Sequence, residues 1–268
     1  MDLDLTGRTA FVSGSTQGIG HAVAAALVAE GMSVVVHGRD AGRVEDAVAR
    51  LVAAAPSPAV RVHGIAADVA ERAEVGRLLA ELDALGPVDV LVNNVGLFGV
   101  AAFTDVADDE WHRYLEVNLM SAVRLSRHLL PPMLERGWGR VLFVGSESGV
   151  DVPANMVHYG VTKAALLALG NGLAKLTRGT AVTVNTVLGG PTWSDGVADA
   201  VEGLARQQGL DPAALRTALA AERPTSLLGR FIEPDELAGL LAYLASPRSS
   251  AVNGAALRAD GGVLTTLL

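Results

Sequence analysis

Short apolar runs alternate with longer helical stretches through almost all of the 268 residues, and this alternation constrains the fold more than any other feature. The runs Thr9–Ser13, Ser33–Val36, Val60–Ile65, Val88–Val92, Arg140–Val144, Val182–Val187 and Ala255–Ala259 read as strands. Short β-rich runs bounded by glycine suit strands buried on both faces. Helical patterns at about 18–30, 41–54, 71–85, 109–136, 156–177 and 234–245 fill the intervals. A β-α-β-α order predicts a parallel sheet covered by helices on both sides. Right-handed crossovers then leave a doubly wound, Rossmann-type α/β sheet of about seven strands. A chain of this length fits one domain spanning residues 1–268. Only residues 193–228 break the rhythm: helix-rich and strandless, they predict a helical lid between the sixth and seventh strands.

Composition narrows the partners. Half the residues are hydrophobic and 19% are charged, enough to bury a large core. The net charge of −8 argues against nonspecific attraction to nucleic acid. No apolar run reaches the roughly 20 residues of a membrane span, and the acidic start Met1-Asp-Leu-Asp-Leu does not look like a secretory leader. The absence of cysteine removes disulfides and thiolate chemistry and fits a cytoplasmic protein. The six histidines never cluster at metal-ligand spacing, so no metal site is expected and they read as scattered polar positions.

The first strand runs directly into Ser13-Gly-Ser-Thr-Gln-Gly-Ile-Gly and then a helix. Glycines at 14, 18 and 20 would permit the turn, the approach of a pyrophosphate and close packing of helix on strand. Free N–H groups at the helix terminus would meet the phosphates, so Gly14, Ser15, Gln17, Gly18, Ile19 and Gly20 are candidate cofactor-binding residues. At the end of the second strand, where an acid would hold the ribose of NAD, stands Gly38, followed by Arg39. A cation there suits a 2′-phosphate, so NADP(H) is expected, with NAD(H) left open because Asp40 is adjacent. Asp68 and Val69 are placed for the adenine edge, and Asn93-Asn94-Val95-Gly96 for the ribose.

Tyr159 and Lys163 carry the chemistry. At i and i+4 of a helix they share a face, and a nearby cation favours ionisation of a phenol. The pair thus makes a proton exchanger near neutral pH.

With these motifs in order the chain resembles the short-chain dehydrogenase/reductase family over nearly its whole length. The resemblance rests on Gly14-x3-Gly18-Ile-Gly20, Asn93-Asn-Val-Gly, Ser146 thirteen residues before Tyr159, Tyr159-x3-Lys163, and Ala259-Asp-Gly-Gly262. It implies an oxidoreductase interconverting a carbonyl and a secondary alcohol, with Tyr159 as general acid/base. Lys163 would keep the phenol acidic and hold the nicotinamide ribose. Ser146 would bond the carbonyl oxygen, and Asn118 would anchor a water leading from Lys163 to solvent. Two departures stand out: Val95 replaces the family's usual alanine, which should tighten packing, and Gly189-Gly-Pro-Thr192 replaces its Pro-Gly, leaving Thr192 as hydroxyl donor to the carboxamide.

Each residue also has a plainer role available. Ser146 could be a turn serine with Ser148 its competitor, Asn118 and Asn185 buried structural amides, and His158 a packing residue. A cofactor-binding sensor or scaffold without turnover is the alternative function, disfavoured because all four reacting groups are present. Enoyl reductases space tyrosine and lysine more widely, and nucleotide-sugar epimerases carry a longer carboxy-terminal half. Val150, Val152, Met156, Trp193, Val197 and Leu204 would wall a moderately apolar substrate cleft. Arg206, Arg216 and Arg223 could face an anionic carrier but more simply solvate a helix. A 3-oxoacyl thioester, small ketone, sugar or steroid all fit. The resemblance and the apolar tail from Val263 further imply a homotetramer or homodimer.

Overall fold

The computed structural model describes residues 2–221 and 224–267. Seven parallel strands, β1 (Thr9–Val12), β2 (Ser33–Gly38), β3 (Val62–Ala66), β4 (Val90–Asn93), β5 (Trp138–Ser146), β6 (Ala181–Gly189) and β7 (Ala256–Ala259), form one sheet in the order β3-β2-β1-β4-β5-β6-β7. The expected doubly wound sheet is therefore present. The direction of winding reverses between β1 and β4, and open α/β sheets bind ligands at the carboxyl ends of such strands.

Side chains alternate across the strands and feed two cores. Ala10, Val12, Val34 and Val36 face one side with Val23, Leu27 and Val28 of α1 (Gly18–Ala29) and Leu237 and Leu241 of α9 (Pro234–Ala245). Phe11, Val35 and Leu91 face the other with Leu78 of α3 (Arg72–Leu85), Leu125 and Met133 of α5 (Ser121–Arg136), and Leu166 of α6 (Val157–Leu176). Period-two strands with both faces apolar give this double burial.

The expected helix at 109–136 is interrupted. α4 (Asp108–Leu115) and α5 are joined by one π-helical turn, Glu116–Met120. A π turn inserts an extra residue and rotates the side chains within it, and such turns collect at functional sites. Here it carries Asn118. No periodicity in the sequence distinguishes this turn from an α turn.

The segment at 193–228 carries two helices, α7 (Asp195–Gln208) and α8 (Pro212–Ala221). Trp193 packs edge-on against Phe231, with the Arg216 guanidinium 4.2 Å above its ring. Arg216 also pairs with Glu233 at 2.8 Å, so it is not turned to an anionic carrier. Arg223 lies outside the described residues. Among the described residues no helix is long and apolar enough to cross a membrane, and no group of three metal-ligating side chains occurs.

Candidate active site

A cleft of about 860 Å³ opens at the carboxyl ends of β1, β2, β4, β5 and β6. One end is the glycine loop. Gly14 and Gly18 have φ of +64° and +58°, values that side chains with a Cβ rarely adopt. A Cβ on Gly20 would stand 2.3 Å from the Gly14 carbonyl oxygen and 2.4 Å from Asn94 Nδ2. Asn94 holds the loop from outside, donating to the carbonyls of Ser13 (3.0 Å) and Gly14 (2.8 Å). The loop is thus bare backbone shaped for close approach, and a dinucleotide pyrophosphate fits it. The Val95 side chain lies 3.0 Å from where a Gly14 Cβ would be, consistent with the tighter packing expected there.

Gly14, Gln17, Gly18, Ile19 and Gly20 line the cleft together with Arg39, Asp68, Val69, Asn94, Gly96 and Thr192. Ser15 does not. Its hydroxyl turns inward, donating to the Val12 carbonyl at 2.7 Å and accepting from the His37 N–H at 3.0 Å. Its neighbour Thr16 lines the cleft instead. The Thr192 hydroxyl donates to the Gly190 carbonyl at 2.9 Å.

His37, a scattered polar position in the sequence, braces the loop. It is 1% exposed, its Nδ1 accepts the Gly14 N–H at 3.1 Å, and its Nε2 bonds the Ala67 carbonyl at 3.0 Å. A carbonyl only accepts, so the single ring hydrogen sits on Nε2 and the ring is neutral. Burial pushes its pKa down to about 4. Unfolding raises that pKa back to about 6.5, so the unfolded chain gains a proton the folded one refuses between these values. Stability should therefore be full above pH 6.5 and fall by about 3 kcal/mol as pH drops to 4. Urea unfolding of the native chain and His37→Gln across this window checks it: the variant should lose that part of the pH dependence.

At the adenosine end the position expected for a ribose-binding acid is closed. A Cβ on Gly38 would lie 2.6 Å from Thr16 Cγ2. Asp40, the competing acid, is the N-cap of α2 (Ala41–Ala54), its Oδ1 accepting the Arg43 N–H at 2.9 Å. Arg39 keeps a side chain 69% exposed, with Asp68 no nearer than 4.0 Å.

The reacting groups gather at the other end. Ser146 closes β5, and the Tyr159 phenol is within hydrogen-bonding reach of its hydroxyl. Lys163 is buried on the same face of α6 as Tyr159, its Nζ 2.9 Å from the Val144 carbonyl and 5.7 Å from the centre of the tyrosine ring. The expected acidification of the phenol is not seen. Burial dominates and pushes Tyr159 up to about 12, the Ser146 bond opposing it only in part. Burial likewise pulls Lys163 down to about 8. The Lys163 amine is bonded to backbone, and burial outweighs any effect of its charge on the phenol.

Asn118 does not line the cleft. Its Oδ1 accepts the Leu97 N–H at 2.6 Å, and its Nδ2 donates to the Leu97 carbonyl at 3.0 Å and Thr162 Oγ1 at 2.9 Å. The side chain is a strut fixing the loop after β4 to α6. Lys163 Nζ and Asn118 Oδ1 lie 3.5 and 3.7 Å from the position of a Cβ on Gly96, at ordinary contact distance. Asn185 is structural as expected, bonding Val252 and Ala255. His158 is a packing residue, edge-on to Tyr114 at 4.4 Å.

Two acids that no sequence motif marks also reach the site. Glu147, 6% exposed, accepts the Ser146 hydroxyl at 2.5 Å. Asp195, at the start of α7, accepts the Gly18 N–H at 2.6 Å, so the lid supplies an anion to the terminus of α1. Of the residues expected to wall the substrate end, Met156 and Val197 line the cleft. Val150, Val152 and Leu204 are exposed, and Trp193 is turned onto Phe231.

The model of the short chain dehydrogenase family matches residues 8–204. The chain belongs to the short-chain dehydrogenase/reductase family. It is 43% identical to an uncharacterized oxidoreductase of Bacillus subtilis, YvrD, over the full length of both. It is 35% identical to a D-beta-hydroxybutyrate dehydrogenase of Cupriavidus necator, covering 96% of this chain and 98% of that one. The structure of L-sorbose reductase from Gluconobacter frateurii, complexed with NADPH and L-sorbose, superposes with a TM-score of 0.94 at 32% identity over all of both chains.

Proposed function

We propose that this short-chain dehydrogenase/reductase is an NADP(H)-dependent enzyme that reduces a carbonyl to a secondary alcohol, with Tyr159 as proton donor. That the chain is an oxidoreductase follows from its family. The observation that carries the finer reading is the meeting of Tyr159, Ser146 and Lys163 in the same cleft that the glycine loop opens onto. When bound, NADPH supplies the hydride. Tyr159, kept protonated by burial, gives the proton to the carbonyl oxygen; Ser146 orients that oxygen; Lys163 holds the ribose side of the cleft. The Gly18 N–H, which Asp195 accepts, is among the loop donors that would hold a phosphate of the dinucleotide.

The NADP(H) preference is supported by the crowding at Gly38, the engagement of Asp40 as a cap, and the exposed Arg39. NADPH is also the cofactor complexed in the L-sorbose reductase structure. Arg39→Ala is expected to raise the KM for NADPH about 10- to 100-fold and leave that for NADH unchanged, the range for a lost charge-assisted hydrogen bond. Steady-state kinetics with both cofactors reads this, and a native preference for NADH would overturn the assignment. Exposed Val161 and Leu176 on α6 support a homo-oligomer.

The test of the reaction is a panel of short ketones, neutral ketoses, ketosteroids and 3-oxoacyl thioesters assayed for NADPH consumption. Turnover of none of them, with either dinucleotide, would overturn the reading.

A further inference from the structure

Glu147 lines the cleft and has no part in the reaction above. It begins the short turn Glu147–Gly149 directly after β5, is 6% exposed, and lines the same cavity as Tyr159. A turn can be made without an acid at this position, and a carboxylate this deep is costly unless it is bonded. Its partner is the reacting serine: Ser146 Oγ lies 2.5 Å from Glu147 Oε2, the length of a charge-assisted O–H···O⁻ bond.

A serine hydroxyl has one hydrogen. With that hydrogen on Glu147, the Ser146 oxygen is left to accept, and it does so from the Ser148 N–H at 3.1 Å. The resting order is Ser146 O–H to Glu147 carboxylate, with the Tyr159 phenol beside the serine.

We propose that Glu147 is a positioning residue that fixes the Ser146 hydroxyl and, through its negative charge beside Tyr159 and Lys163, keeps both in the protonated state that carbonyl reduction requires. The inference rests on the roles assigned above to Ser146 and Tyr159. The phenol is faced by Ser146 from β5, Glu147 from the following turn, Tyr114 from α4, and Lys163 from its own helix. Of these the serine bond favours the phenolate, whereas Glu147 and Tyr114 disfavour it in the same sense as burial. Glu147 also opposes the effect of burial on Lys163, favouring the ammonium. His158 is turned away onto Tyr114. A carbonyl oxygen arriving at Tyr159 competes with the carboxylate for the Ser146 hydrogen, so Glu147 also governs how much that hydroxyl can give.

Glu147→Gln keeps the size and removes the charge. Reduction needs the phenol and fails above its pKa; oxidation needs the phenolate and fails below it. Removing a neighbouring negative charge lowers that pKa, so the alkaline limb of kcat/KM for reduction and the acid limb for oxidation should both move to lower pH, by about one unit. The experiment records both profiles for native enzyme and variant with the best substrate of the panel, and with NADPH binding by fluorescence as the check on folding. Glu147→Asp, whose carboxylate is withdrawn from Ser146, should move both limbs part of the way and serves alone if the glutamine variant does not fold. Rates that fall equally in both directions with unmoved limbs would make Glu147 merely structural and overturn the inference alone. A native enzyme with no turnover would overturn the reading of the site, and this inference with it.

Discussion

Tyr159→Phe is expected to lower turnover by about 10²–10⁴-fold, the usual contribution of a positioned general acid, with NADPH affinity unchanged. The phenylalanine ring refills the same space against Ser146 and α6, so the loss falls on proton transfer and leaves packing intact. Fluorescence titration of NADPH and stopped-flow turnover on one preparation separate the two. The high pKa of the phenol, about 12, adds a second expectation: reduction by the native enzyme should stay active well into the alkaline range. Near-native turnover in the phenylalanine variant would remove Tyr159 from the reaction.

Gly20→Val should weaken cofactor binding by a wholly different route. Its Cβ would have to occupy space 2.3 Å from the Gly14 carbonyl oxygen, which is backbone and cannot rotate aside. Overpacking of this kind costs about 1–3 kcal/mol. Because the displaced atoms belong to the loop and to Asn94, the same distortion should weaken NADPH binding by about 10- to 100-fold, the equivalent of that energy. Gly203→Ala is the matched control: nothing lies within 4 Å of a Cβ there, and the residue is inside α7. It should raise the melting temperature slightly, since alanine is favoured over glycine in a helix. Thermal melts and calorimetric titration distinguish the two glycines.

What the sequence revealed and what it hid divide along a physical line. The strands, the glycine loop and the Tyr159–Lys163 pair were legible because each is written in contiguous residues, through period-two burial, positive-φ glycines and the turn of a helix. Arg39 was legible by its place at the end of β2, although the steric reason for Gly38, the Thr16 methyl, was not. His37, Glu147 and Asp195 were invisible for the opposite reason. His37 acts through Gly14 and Ala67, 23 and 30 residues away, and Asp195 through Gly18, 177 residues away. Glu147 is adjacent to its partner, but nothing local says that its turn is buried. Asn118 was found by its neighbours in sequence, yet its amide is aimed by one π turn that carries no pattern of its own.

The scarcity of lysine gives the fold a practical property. The chain has two, Lys163 and Lys175, both on α6 and twelve residues apart, hence about 18 Å along the axis. One amine is sealed beneath the cleft and the other is exposed to solvent at the far end of the helix. Amine-directed coupling to a bead or a dye would therefore attach through the Lys175 side chain or the main-chain amino terminus, leaving the sealed amine untouched and presenting the molecule in few orientations.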